Sequence, residues 1–278
     1  MELFKNNIKS FLQRYEIRPK KKYGQNFIFE KNILNKIVDN IEPLKKFLII
    51  EIGPGPGGLT NILLERAPKN LLLVEKDIAF RKILADLAKR YSKTNTKMIF
   101  EDILSTNLFE LDLVKKNKIK FISNLPYYIS TKILMKILPF NSNVVEAVFM
   151  FQKEVAERIL SKPHRKNYSK LSVITQYSCD IKKIMNIKSN VFFPKPDVDS
   201  CVLSFKPKKA VNKKEFLAVK KITKLAFEKR RKTLKNSLSS IDDIIKLLKI
   251  LKINSELRAE NLSVLQYKSL ASLIVKNN

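Results

Sequence analysis

The stretch NLPYYIST (124–131) sets an amide side chain, a proline and an aromatic ring side by side, directly after the strand-like run KFIS. A turn ending in an exposed amide and an exposed ring suits something flat and polar. One chemistry needs this set. The exocyclic N6 of adenine is a poor nucleophile, because its lone pair is delocalised into the purine. Acceptors for its two hydrogens favour pyramidal geometry and free that lone pair. Asn124 offers a side-chain carbonyl. The proline fixes the turn so that the Leu125 backbone carbonyl can point the same way. Tyr127 offers a π face on which a base stacks. In an arbitrary chain N-x-P-Y is a proline turn with a half-buried tyrosine, so the chemistry gains weight only from what stands upstream.

Upstream, IIEIGPGPGGLT (49–60) runs from strand to glycine loop to helix. Such a loop lets backbone amides approach a ligand, and the helix start favours electronegative groups. Two frames fit: Gly53, Gly55 and Gly58 match the dinucleotide pattern GxGxxG, and Gly53, Gly55 and Gly57 match GxGxG of S-adenosylmethionine-dependent methyltransferases. The neighbours separate the frames. Glu51 stands just before the loop, where a carboxylate repels a pyrophosphate but suits the ammonium or sulfonium of S-adenosylmethionine. Glu75 ends the next strand, in the place of an acid that accepts from ribose hydroxyls. Asp102 ends the third, where it can accept from an adenine amino group. Singly, Glu75 and Asp102 read equally well as solvated strand ends or helix caps. Three acids on successive strand ends point to a site on the carboxyl edge of an α/β sheet.

The elements that position these residues follow from the alternation of apolar runs and amphipathic patterns. Strands are expected at 47–53, 71–77, 97–102, 120–126, 146–152 and 201–207, with helices between the earlier ones. That alternation predicts a doubly wound α/β sheet. PKKAVNKK then reads as a linker, and the rest is helical, with Phe216, Val219, Ile222 and Ala226 on one face. The expected domains are therefore 1–207 and 208–278.

The formal net charge of +29 over 278 residues points to a polyanionic partner. A Lys-, Asn- and Ile-rich composition also fits drift from an AT-rich coding sequence. Cys179, Cys201 and His164 are too few for a zinc domain, which needs about four ligands. Two cysteines in a chain of this length suggest a reducing compartment. MELFKNNIKSFLQRYEI lacks a long apolar core and a cleavage site, and no run approaches the ~20 apolar residues of a membrane span. The expectation is a cytoplasmic protein.

At this point the sequence resembles the ribosomal RNA adenine N6,N6-dimethyltransferases, most of all the bacterial small-subunit type (KsgA type), over nearly the whole chain. EIGPGPGGLT, LLLVEKD, FEDIL and NLPYYIST match the cofactor and catalytic motifs. KKKYGQNFI (20–28) resembles the N-terminal motif, which places Asn26 and the Ile28 backbone against the methyl donor. VFFPKPDVDS (191–200) resembles the FxPxPxVDS signature, which makes Phe192 the second aromatic wall. FQKEVAERIL, YSKLSVITQY, AFEKRRKTLKNSL and RAENLSVLQYKSL resemble further family segments.

The resemblance implies a class I (Rossmann-like) methyltransferase sheet and a small all-helical C-terminal domain that binds RNA. It implies two methyl transfers from S-adenosylmethionine to N6 of adenosines, two adjacent ones, in small-subunit ribosomal RNA, with a role in ribosome biogenesis. The target base would be sandwiched between Tyr127 and Phe192, with Asn124 and Leu125 on its amino group and Asn124 also near the donor. Asn26, Ile28, Glu51, Gly53, Gly55, Glu75 and Asp102 would hold the cofactor. Arg230, Arg231 and Lys232, on a predicted helix, are the first RNA candidates, with Lys20, Lys21 and Lys22 behind them. A solvated face explains the lysine clusters as well. The partner is small-subunit RNA or its assembling particle; a monomer, no metal and no membrane are expected. The rivals are the macrolide-resistance methyltransferases, a non-enzymatic assembly factor on the same fold, and a DNA adenine methyltransferase.

Overall fold

Leu48–Ile52 forms β2 with every residue buried, as a continuous apolar run does when both faces of a sheet are covered. Asn70–Glu75 (β3), Asn95–Phe100 (β4), Ile119–Asn124 (β5) and Val144–Gln152 (β6) pair in parallel around it. Ser200–Pro207 (β9) runs antiparallel to β6. Cys179–Ile187 (β7) completes a seven-stranded sheet of order β4-β3-β2-β5-β6-β9-β7. A two-stranded antiparallel sheet joins Phe27–Ile28 (β1) to Phe192–Phe193 (β8). The computed structural model describes residues 12–20, 24–209, 211–229 and 231–277.

The strands expected from the sequence are present. β7 was not anticipated, because CDIKKIMNI is broken by lysines; as an edge strand it is buried only at its two ends and needs no continuous apolar run. The helices between strands are amphipathic. Lys31–Asp39 (α1) buries Leu34, Ile37 and Val38, and Arg81–Arg90 (α3) buries Ile83, Leu84 and Leu87. Both sets lie on one face at three-to-four spacing. Gly58–Glu65 (α2) is buried from Gly58 to Leu64, so the helix after the glycine loop has no solvent stripe.

The winding decides where a ligand can sit. The chain runs β2, β3, β4 to one side, then returns to lay β5 against the other side of β2. Open α/β sheets take ligands outside the carboxyl ends of the strands at such a reversal. The glycine loop leaves β2 and NLPY leaves β5, so both open onto it.

The chain divides into two compact units, Met1–Lys153 with Lys182–Lys206, and Glu154–Ile181 with Pro207–Asn278. One division falls at Pro207, and 154–181 groups with the C-terminal helices rather than with the sheet. The reason is aromatic packing distant in sequence. Tyr177, in Lys170–Ser178 (α6), lies 6.3 Å from Phe216, in Lys213–Glu228 (α7), and its hydroxyl donates to Glu215. Tyr168 donates to the Leu262 carbonyl. Phe227 stacks on Tyr267, in Val264–Asn277 (α10). The face predicted for α7 is the buried one, with Phe216, Val219, Ile222 and Ala226 inside.

Several turns are made by ordinary residues in the left-handed region: Glu16, Ala67, His164, Asp243 and Lys252 all have positive φ. No helix among the described residues is long and apolar enough to cross a membrane.

Candidate active site

The strand-end residues line one cleft of about 1070 Å³, its open mouth included. Its walls include Asn26, Ile28, Glu51, Gly53, Gly55, Glu75, Asp102, Asn124, Leu125 and Tyr127. Of the residues expected to contact cofactor or base, only Phe192 is not on this lining; its ring packs against that of Tyr127.

Glycine is confined to this region. The chain has five: Gly24, Gly53, Gly55 and Gly58 line the cleft, and Gly57 begins α2. Gly57 has φ 86°. At Gly58 the reason is contact rather than φ, since a Cβ there would collide with the Ile28 carbonyl oxygen. The glycine pair thus seats β1 directly on the start of α2, which the local frames GxGxG and GxGxxG do not reveal.

Glu51 is 2% exposed, and its Oε2 accepts from the Thr60 hydroxyl at 2.7 Å. It has no ion pair among the described residues. Burial pushes its carboxyl up to about 8; the Thr60 hydroxyl opposes this and the nearby Glu75 adds to it. A buried acid in this state is matched by a cation, which fits the ammonium or sulfonium of S-adenosylmethionine. Glu75 is also buried and raised by desolvation, against the pull of backbone amides. Its Oε2 accepts from Gly55 N at 2.9 Å and its Oε1 from Asp77 N at 2.8 Å. It therefore braces the glycine loop, and a carboxylate's four lone-pair sites leave it room to accept from a ribose hydroxyl as well. Asp102 accepts from Lys76 Nζ and from Leu104 N, both at 2.8 Å. The Lys76 ammonium, above all, holds Asp102 below the usual carboxylate range. The donor set of the cleft fits the cofactor.

Asn124 Nδ2 donates to the Asn26 backbone carbonyl at 2.9 Å. That bond engages one N–H of the amide and turns Oδ1, the acceptor end, away from it. Asn26 Nδ2 donates in turn to Gly24 O at 3.2 Å. Tyr127 is half-buried, and its hydroxyl shares a hydrogen bond with Ser200 Oγ. Burial raises its phenol to about 12, against the Ser200 bond, so the hydroxyl keeps its proton at neutral pH. Phe192 is 4% exposed, with its centroid 6.4 Å from that of Tyr127 and the planes at 69°. The two rings meet edge to face.

The sequence reading missed Asp77. It is 6% exposed and receives Lys20 Nζ at 2.9 Å and Gln25 Nε2 at 3.1 Å. Burial alone would raise it, but these bonds and the Ala79 amide hold it low. Locally Asp77 caps the turn Ile78–Phe80, accepting from Ala79 N at 3.2 Å. Its partners Lys20 and Gln25 are 57 and 52 residues away. Lys20, expected at the RNA, thus has its ammonium on Asp77 and secures the N-terminal segment over the cleft. Replacing Asp77 with alanine is expected to weaken binding of the methyl donor about tenfold, the scale of a lost charged hydrogen bond. Calorimetry would show this, and trypsin should cut after Lys20 faster.

The other RNA candidates divide. Lys21, Lys22 and Arg230 lie outside the described residues. Arg231 and Lys232 are exposed, but on a turn and not on a helix. α7 stops at Glu228, and Thr233 is held extended by its bridge to Arg258.

A sequence profile of the family described as "Ribosomal RNA adenine dimethylase" matches residues 17–276. Proteins named ribosomal RNA small subunit methyltransferase A from Francisella tularensis subsp. novicida (strain U112) and subsp. tularensis (strain WY96-3418) are each 42% identical over 270 residues, 94% of this chain and 99% of theirs. Among solved structures, a dimethyladenosine transferase from Plasmodium falciparum superposes with a TM-score of 0.77 at 24% identity, over 90% of this chain and 98% of that one. The 23S rRNA methyltransferase ErmE does so with a TM-score of 0.65 at 18% identity, over 90% of this chain and 100% of that one. These two likenesses show the fold, a class I methyltransferase sheet.

Proposed function

The chain belongs to the ribosomal RNA adenine dimethylase family, and on that premise we propose that Asn124, Leu125 and Tyr127 receive the target adenine at the mouth of the cleft. The protein is an S-adenosylmethionine-dependent methyltransferase that dimethylates N6 of adenosines in small-subunit ribosomal RNA. The observation that carries the site assignment is the fixed Asn124 amide, which lines the same cleft as Glu51, Glu75 and Asp102.

When bound, S-adenosylmethionine supplies an electrophilic methyl group on its sulfonium. Glu51 faces the donor's positive end, Glu75 accepts from its ribose, and Asp102 accepts from its adenine. Asn26 and Ile28 close the near wall. Asn124 Oδ1 and the Leu125 carbonyl accept the hydrogens of the target N6, which aims its lone pair. Tyr127 stacks on the base and excludes water. Unstacking the base from its RNA costs a few kcal/mol, and one aromatic stack returns about 1–3 kcal/mol. Proximity and orientation supply most of the rate. No strong base is needed, because the amino proton becomes acidic once methylation begins.

We further assign the C-terminal helices to RNA binding, with two adjacent adenosines as targets. The protein works as a cytoplasmic monomer without metal. The test of function is incubation with labelled methyl donor and each ribosomal subunit from cells lacking this activity, followed by nucleoside analysis. Dimethyladenosine confined to the small subunit is the expected result; label in the large subunit alone would reject it.

For the RNA grip, Arg231 and Lys232 are the exposed described cations of the predicted cluster. Replacing both with alanine is expected to flatten the salt dependence of RNA binding by about one unit of log–log slope per lost phosphate contact. Filter binding across a salt series measures the slope. An unchanged slope would place the RNA path elsewhere.

A further inference from the structure

Tyr127 and Phe192 have nearly the spacing, but not the orientation, that a base needs. A flat base between two parallel rings needs two van der Waals contacts of about 3.5 Å, or about 7 Å in all. The centroids already stand 6.4 Å apart, with the planes at 69°. What separates this arrangement from a slot is mainly a rotation.

Ser200 controls which rotation is available. It is fully buried, at the first position of β9, where the register pairs it with Gln152. Its hydroxyl is bonded to the hydroxyl of Tyr127. A tyrosine hydroxyl oxygen lies on the line through Cβ, Cγ and Cζ. Turning the ring about χ2 therefore leaves the oxygen in place, and χ2 of tyrosine is a broad, soft torsion. Pinning the hydroxyl stops the side chain from swinging but lets its face turn. The residue before it performs the matching task for the other wall. Asp199 accepts from Ser189 N at 3.0 Å and from Lys188 Nζ at 3.3 Å, which closes the segment that carries Phe192.

We propose that Ser200 is a positioning residue for methyl transfer: it fixes the long axis of Tyr127, so that an entering adenine turns the ring from edge-on to face-on against Phe192 without displacing it. This deepens the functional reading above and rests on it. Without Ser200 the ring would also swing, and the base would spend less time in line with the methyl donor. The effect should appear in kcat rather than in affinity for RNA or cofactor.

The test is a double-mutant cycle on small ribosomal subunits that lack the modification. Ser200→Ala and Tyr127→Phe remove the two ends of one hydrogen bond. Each is expected to lower kcat about tenfold, the scale of a modest misplacement at a reacting centre. KM for the subunits and calorimetric affinity for S-adenosylmethionine should stay within about twofold of wild type in both variants. The double variant should be no slower than either single one, because the two share one interaction. Ser200→Thr, which keeps the hydroxyl, should recover most of the rate. Wild-type turnover by Tyr127→Phe would overturn the proposal, even if Ser200→Ala proved too unstable to assay. Multiplicative losses in the double variant would overturn it too. A wild-type chain that transfers no methyl to these subunits would sink the functional reading, and this inference with it.

Discussion

Asn124→Ala is expected to cut methyl transfer by about 10²–10³-fold, the scale on which single preorganised hydrogen-bonding groups act in catalysis. The loss has one main cause. Asn124 Oδ1 is the side-chain acceptor whose direction is fixed from behind, by the bond from Nδ2 to the Asn26 carbonyl. Without it one N6 hydrogen has no partner, and the lone pair stays delocalised. The same bond helps hold the N-terminal segment, so affinity for the methyl donor should fall as well, by about tenfold at most. Single-turnover assays with saturating donor separate the two effects. A rate within threefold of wild type under those conditions would remove Asn124 from the chemistry.

Binding of S-adenosylmethionine is expected to strengthen as pH rises from about 6 to about 8. The sign follows from Glu51, whose carboxyl is raised to about 8 in the free protein and is therefore mostly neutral at pH 7. A bound cation favours the ionised form and lowers that pKa, so binding expels a proton. Affinity then gains up to tenfold per pH unit, about 1.4 kcal/mol, until Glu51 is ionised in the free protein as well. Above that range the donor's own ammonium begins to lose its proton and the gain ends. Calorimetry at pH 7 in buffers of different ionisation enthalpy should detect close to one proton released. Glu51→Gln should abolish the release and flatten the profile. A pH-independent affinity in the wild type would place the donor's positive charge away from Glu51.

The candidate site residues legible in the sequence were those whose placement follows from position on a strand. Glu51, Glu75, Asp102 and Asn124 each stand at the end of an apolar run, and a parallel sheet brings such ends to one edge regardless of detail. What escaped was set by distant partners. Asp77 looks like a helix cap until Lys20 and Gln25 are folded onto it. β1 and β8 are two residues each, too short for periodicity, yet their pairing sets Ile28 opposite Phe192. The segment 154–181 carries no local mark of belonging with the C-terminal helices, because Tyr168 and Tyr177 find their partners only after 207. Phe192 was found by motif, but its angle to Tyr127 depends on rotamers, which no residue pattern encodes.

The distribution of glycine has a consequence for how this protein tolerates change. Elsewhere in a chain with only five glycines, left-handed turns are made by Ala67, His164, Asp243 and Lys252, each of which bears the steric cost of a side chain there. The turns are therefore the malleable part of the molecule: a glycine arriving at any of them relieves a strain already present. The cleft is the reverse. At Gly58 even one added carbon must move the backbone of Ile28. Random substitution thus meets two opposite landscapes in one chain, with room for improvement in its turns and almost none around its methyl donor.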